Sequence, residues 1–129
     1  MTDGMEAITT SVLGLALDAA SLRQQAIASN IANANVAGYT PLTVNFEAQL
    51  EDARRAIGRN GTLDASALSD VSPRLEFDAG TDALGLPAKV QLDIEMARMA
   101  QNGVQYQALV KGLEKHYAVM AIAVGDGKK

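Results

Sequence analysis

Two stripes of apolar side chains with helical spacing lie at the two ends of this 129-residue chain. In the N-terminal stripe, steps of three and four residues connect Ile8, Val12, Leu15 and, one heptad further, Leu22. This is the heptad spacing of a helix that packs along another helix. The pattern predicts a single long helix over residues 5–35.

The C-terminal stripe is longer and keeps the same alternation. Its members are Leu92, Met96, Met99, Gly103, Tyr106, Val110, Leu113, Tyr117, Met120 and Val124. We expect its three methionines to be ordinary core residues. Asp93 is predicted to cap the helix, and Gly125 and Gly127 to end it before a short basic tail, Lys128 and Lys129.

Between the stripes the pattern is weaker. Asn45 is predicted to cap a short helix over residues 46–57 that stops at Gly58. Residues 61–85 are rich in Asp, Ser, Ala and Gly, and form either a small extended module or a segment that orders only against neighbours.

The predicted fold is therefore mainly α, with long N- and C-terminal helices pairing as a coiled coil around a short, irregular, partly disordered middle. Residues 1–39 are assigned to the N-terminal coiled-coil helix and its Asn/Gly turn. Residues 40–88 form the variable middle, and 89–129 the C-terminal coiled-coil helix and tail. Both terminal helices belong to one structural domain.

Two such stripes must be buried, in each other, in other chains, or in both. An isolated pair of helices buries one stripe per helix and leaves the alanine-rich flanks of the N-terminal helix open to further helices. This favours assembly over a solitary hairpin.

The end of the N-terminal stripe is marked by asparagines, a glycine and a proline. Asn competes with helical hydrogen bonding, Gly38 suits a left-handed helix cap, and Pro41 prevents a restart. Asn30 and Asn33 are three residues apart and therefore neighbours on one face. Their amides suit contacts with the backbone or amides of another chain; the alternative is a solvated last turn.

Composition excludes several classes of function. The net charge of −4 argues against a nucleic-acid partner, and the absence of cysteine excludes disulfides and thiolate metal sites. Asp3 and Glu6 stand where a secretory signal would be basic, and the apolar positions are spaced rather than continuous. We therefore expect neither a cleavable signal peptide nor a membrane-spanning segment.

Catalytic chemistry is not expected. His116 is the sole histidine and lies beside a stripe residue, which is typical of a helix-edge side chain rather than a general base. No metal-ligand spacing, phosphate-binding loop or nucleophile elbow is present, so no cofactor or metal is predicted.

The segment Ser29-Asn30-Ile31-Ala32-Asn33, followed by Gly38-Tyr39, resembles the signature near the N-terminus of bacterial flagellar rod, hook and hook-associated proteins. The usual form ends in Thr-Pro-Gly-Tyr, whereas this chain has Val36-Ala37 before the glycine. The C-terminal segment 90–97, with Asn102 and residues 106–109, looks most like the proximal rod proteins of that family. The resemblance covers residues 8–50 and 88–122.

The resemblance implies a structural subunit of the flagellar basal-body rod, exported without a cleavable signal and placed in the periplasmic rod. It implies terminal helices that assemble into a helical tube, with other rod subunits and basal-body components as partners and self-association possible. The implied assembly motif is Ser29, Asn30, Ile31, Asn33, Gly38 and Tyr39. Another axial protein of the family, or a soluble helical adapter or chaperone, is the alternative.

Overall fold

The fold is a pair of long antiparallel helices with a small module packed on one side. This middle module consists of two strands, a helix and a 3-10 helix within residues 42–77. The computed structural model describes residues 2–61 and 65–127. Helix α1 spans Thr2–Ala32, α2 spans Glu47–Asn60 and α3 spans Leu92–Gly127; strands β1 and β2 span Leu42–Asn45 and Arg74–Phe77. The predicted fold class, mainly helical with long terminal helices around a short middle, is confirmed.

Helices α1 and α3 run antiparallel and touch along much of their length. Small residues of α1, including Ala19, Ala20 and Ala26, are fully buried, which lets the helix backbones approach closely. Near the other end of the pair, Oγ1 of Thr10 lies 3.1 Å from Nε2 of His116. The start of α1 therefore lies beside the end of α3.

The middle of the chain contains a two-stranded antiparallel sheet that the sequence did not reveal. Leu42 is opposite Phe77 and Asn45 opposite Arg74. All four residues of β2 are exposed. They do alternate polar and apolar residues, but a run of four is the shortest from which a strand can be recognised in a sequence.

A hydrophobic core joins α1 to the middle module. Its buried members are Ala19, Phe46, Ala53, Leu68 and Val71, and the side chains packed against them include Ile8, Val12, Leu15, Ala16, Val44 and Leu50. The three leading members of the predicted N-terminal stripe thus pack against the middle module. They do so because the 3-10 helix Ala65–Leu68 brings Leu68 over that face of α1.

Several predicted boundaries are wrong by a few residues. Helix α1 ends at Ala32 instead of residue 35, because the asparagines that follow adopt turns. Phe46 precedes α2 and no side chain caps it, so Asn45 is not the cap. Gly58 lies inside α2, which ends at Asn60 and is capped by Gly61 with φ of 68°.

The ends of α3 also differ from prediction. The helix begins at Leu92, so Asp93 lies in its first turn, where Oδ1 accepts a hydrogen bond from the Ile94 N–H. Gly125 is inside the helix, because a glycine at an exposed helical position costs only about 1 kcal/mol. The predicted basic tail, Lys128 and Lys129, lies outside the described residues.

The expectation that no segment could span a membrane is corrected by α1. The stretch Met5–Ala32 is long and apolar enough to do so by length and composition, with a mean hydropathy of 1.3. Soluble core helices and N-terminal signal sequences pass the same test. Among the described residues of this stretch, the large apolar side chain that is substantially exposed is Met5, at 61%.

Candidate assembly site

The end of α1 is built around the side chain of Asn30, which is 2% exposed. Oδ1 of Asn30 accepts hydrogen bonds from the Leu42 N–H at 2.8 Å and from the Tyr39 hydroxyl at 3.0 Å. Nδ2 donates to the Leu42 carbonyl at 3.0 Å and to Oε2 of Glu95 at 3.3 Å. One amide therefore connects the end of α1, the start of β1 and the first turns of α3.

Tyr39 closes the turn back onto α1. Its hydroxyl donates to Asn30, so it accepts from the Ser29 hydroxyl, with the two oxygens 3.0 Å apart. Nδ2 of Asn33 donates to the carbonyl of Ser29 at 2.8 Å, and the same carbonyl accepts the backbone N–H of Asn33 at 3.0 Å. Ile31 is half-buried.

The amides of the motif are thus used within the chain. The side chain of Asn30 is buried and all its hydrogen-bonding groups are occupied internally; contact of the motif with another chain stays a prediction. What the motif leaves on the surface is the outer side of the turn, where Val36 is 54% exposed and Gly38 is exposed.

Gly38 adopts the positive φ expected, 76°, but it lies in a turn six residues beyond the end of α1, so the prediction that it caps the helix is wrong. No atom lies within 4 Å of a Cβ added there, so an alanine would suffer from backbone strain alone. We expect Gly38→Ala to lower the free energy of unfolding by about 1 kcal/mol, measured by urea denaturation.

Gly58 is the matched control for that substitution. It lies inside α2 in a helical conformation, and no atom lies within 4 Å of an added Cβ. Gly58→Ala should therefore raise the free energy of unfolding by about 0.5–1 kcal/mol. Equal effects at both positions would contradict the role given to the turn at Gly38.

The face of α3 toward α1 is more polar than predicted. Glu95 and Asn102 are each 3% exposed. Asn102 donates to the carbonyl of Ala20 and to Oε1 of Gln24, both at 2.9 Å, while its own Oδ1 is buried without a partner among the described atoms. Glu95 pairs with Arg98 at 2.8 Å.

This contact face follows a heptad that overlaps the predicted one. It runs through Glu95, Met99, Asn102, Tyr106, Leu109, Leu113, His116 and Met120, with steps of four and three. Half of these positions belong to the predicted stripe, and the other half lie one residue before its remaining members. The repeat at Glu95, Asn102, Leu109 and His116 was visible in the sequence, but three of the four residues are polar.

The predicted stripe members that lie outside this contact face include three exposed residues that are predicted to lie in the coiled-coil contact. The exposed fraction is 48% for Leu92, 59% for Met96 and 51% for Tyr117, so Met96 is not the core residue expected. Tyr106 is 42% exposed, while Met99, Val110, Leu113 and Met120 are half-buried. On α1, Ile8, Val12, Leu15 and Leu22 are half-buried. A role for these side chains in assembly remains a prediction.

The site offers hydrogen bonding and apolar contact. Within residues 2–61 and 65–127, no group of three or more His, Asp or Glu side chains is placed to hold a metal ion. His116 is engaged with Thr10 across the helix pair. The geometry suits a structural connection between elements.

One family model matches the chain, that of the flagella basal body rod protein, over residues 12–40. This segment includes Asn30, Gly38 and Tyr39, so the match covers the part of α1 and the turn that the Asn30 amide joins. It supports the flagellar basal body rod family for this chain. No curated protein is a significant match.

Proposed function

We propose that this chain is a structural subunit of the bacterial flagellar basal-body rod, of the proximal type represented by FlgB. The observation that carries the proposal is the agreement between the rod-family match over residues 12–40 and the Asn30 site within it. A flagellar rod role implies association with other basal-body components and location in the basal body.

The exposed apolar surface of α3 supports a protein that assembles with other chains rather than a monomer. Among the described residues, fifteen large hydrophobic side chains are substantially exposed, nine of them on α3. Monomeric soluble proteins rarely leave large contiguous apolar surfaces open to water. In the proposed tube, neighbouring subunits cover this surface, and the rod transmits torque along the packed helices.

The finer parts of the proposal concern position and route. The chain is exported by the flagellar export apparatus without a cleavable signal, assembles in the periplasmic part of the rod, and contacts other rod subunits directly. The short middle of residues 40–88 supports a proximal position, since the other axial proteins of the family commonly carry a larger middle region.

The test is to delete the encoding gene in its own bacterium and to restore it with a tagged copy. We expect the deletion to abolish swimming, and the tagged chain to co-purify with detergent-extracted basal bodies in several copies. Helical density matching α1 and α3 in an electron-microscopy map of the rod would give its position.

A soluble adapter or chaperone is the competing function, favoured by any result in which the chain forms a small closed complex. Size-exclusion chromatography of the tagged chain from cell extract distinguishes the two. A complex with one partner and no chain in the basal-body fraction would remove the rod proposal.

A further inference from the structure

The two turns of α3 that precede Gly125 are apolar on every side. Residues 117–124 read Tyr-Ala-Val-Met-Ala-Ile-Ala-Val, without a charged residue; we call this segment the α3 tail. Val119 is 56% exposed, Ile122 65% and Val124 59%. A helix that is hydrophobic all round is normally buried, so the tail needs a cover that this chain alone does not provide.

An apolar groove lies between α1, α2 and the 3-10 helix. A cavity of about 360 Å³ there is lined by Ile8, Val12, Leu50, Ile57 and Leu68; we call it the α1–α2 groove. At its rim, Arg54 donates two hydrogen bonds to Glu51, and this pairing lowers the pKa of Glu51. The rim stays charged while the floor is apolar.

The tail and the groove lie at the same level of the helix pair. Because α1 and α3 are antiparallel and Thr10 contacts His116, the tail follows directly alongside the first turns of α1. Ile8 and Val12, which form one wall of the groove, belong to those same turns.

The two surfaces lie on opposite sides of α1. Ile8 and Val12 are each two residues from Thr10, about 200° around the helix at 100° per residue. Thr10 faces α3, so Ile8 and Val12 face away from it, toward α2. One copy therefore presents the tail on one side and the groove on the other.

We propose that the α3 tail of one copy docks into the α1–α2 groove of the next copy beside it. This inference rests on the proposed rod function, and it specifies the lateral contact. Two different patches on opposite sides make a heterologous contact, which repeats without closing into a dimer. Lys115, seven residues before Ile122 and so on the same face, approaches a rim that carries two carboxylates, Glu47 and Glu51, and one cation, Arg54. Arg54 pairs with Glu51 and Arg23 with Glu47, so Lys115 would share an existing carboxylate.

Cysteine crosslinking tests the contact, since the chain has no cysteine of its own. The variant with Ile57→Cys and Ile122→Cys together, treated with a short bismaleimide, is expected to give a ladder of dimers, trimers and larger products. The control pairs Ile57→Cys with Val104→Cys, because Val104 is 70% exposed on α3 but outside the tail. It should give several-fold less product.

A charged substitution provides a second readout. Ile122→Lys places a cation in the proposed apolar contact and should weaken self-association about tenfold in sedimentation. Val104→Lys, an equally exposed position on the same helix, should leave it unchanged. Circular dichroism of both variants checks that the helices are retained.

Three results would overturn the contact. Dimers from Ile122→Cys alone, with no ladder from the double variant, would mean that tails pair with tails. Flotation of the chain with phosphatidylglycerol vesicles, lost in Ile122→Lys, would mean that the tail enters a bilayer. The absence of both crosslinks and vesicle binding would mean that the tail has no such partner.

The same variants separate this inference from the rod proposal. A chain present in purified basal bodies but without the crosslinked ladder would remove the lateral contact and leave the rod function. A ladder from a chain that never enters basal bodies would remove the rod function and leave the contact.

Discussion

Replacing Asn30 by leucine is expected to lower the free energy of unfolding by about 3 kcal/mol or more. The substitution keeps a similar volume but removes every hydrogen bond that the amide makes. The Leu42 N–H and carbonyl, 2.8 and 3.0 Å from the amide, lose their partner beside a side chain that is 2% exposed. Each polar group left unpaired on burial costs about 1–3 kcal/mol.

Urea denaturation followed by circular dichroism measures this effect. The matched control is Asn35→Leu, which makes the same exchange at an exposed position and should change stability by no more than about 0.5 kcal/mol. Comparable losses at the two positions would mean that the amide of Asn30 is not what joins α1, β1 and α3.

Replacing Phe46 by alanine is expected to cost about 3–5 kcal/mol, the usual range for emptying a buried aromatic position. Phe46 is 5% exposed and packs with Ala19, Leu68 and Val71 in the core between α1 and the middle module. The loss should fall mainly on the middle, since Phe46 immediately precedes α2. In the same denaturation experiment, the midpoint should shift to much lower urea.

Phe77 is a natural control, because it is the other phenylalanine of the chain and is 71% exposed. Phe77→Ala should cost less than about 1 kcal/mol, since it removes a side chain that is mostly in water already. A larger effect at Phe77 than at Phe46 would contradict the placement of the core.

The fold class was predictable because apolar residues with helical spacing span both ends of the chain. The small sheet was missed although both of its strands alternate apolar and polar residues, because each strand is only four residues long. The short helix near residues 46–57 was visible from its apolar spacing, but its ends were not. Gly58 lies inside α2 at an exposed position. A glycine there costs only about 1 kcal/mol relative to alanine, so the helix continues past it.

The candidate site, too, was predictable from the sequence only in part. The positive φ of Gly38 was predictable from the residue type, but the cap was not, because α1 ends six residues earlier, at Ala32. The partners of Asn30 could not be predicted, since Leu42 and Glu95 are 12 and 65 residues away. The sequence prediction chose apolar positions and therefore placed half of the contact face of α3 one residue too late. The residues that occupy those positions include buried Glu95 and Asn102 and half-buried His116, which are polar.

The polar contacts between α1 and α3 also determine how the pair responds to force along its axis. Three of them bridge the helices at separate levels: Thr10 with His116, Ala20 and Gln24 with Asn102, and Asn30 with Glu95. Sliding one helix by a single turn would break all three at once, whereas a purely aliphatic contact would re-form after the slip. These contacts therefore resist sliding of α1 along α3 when a force acts along the helix axis.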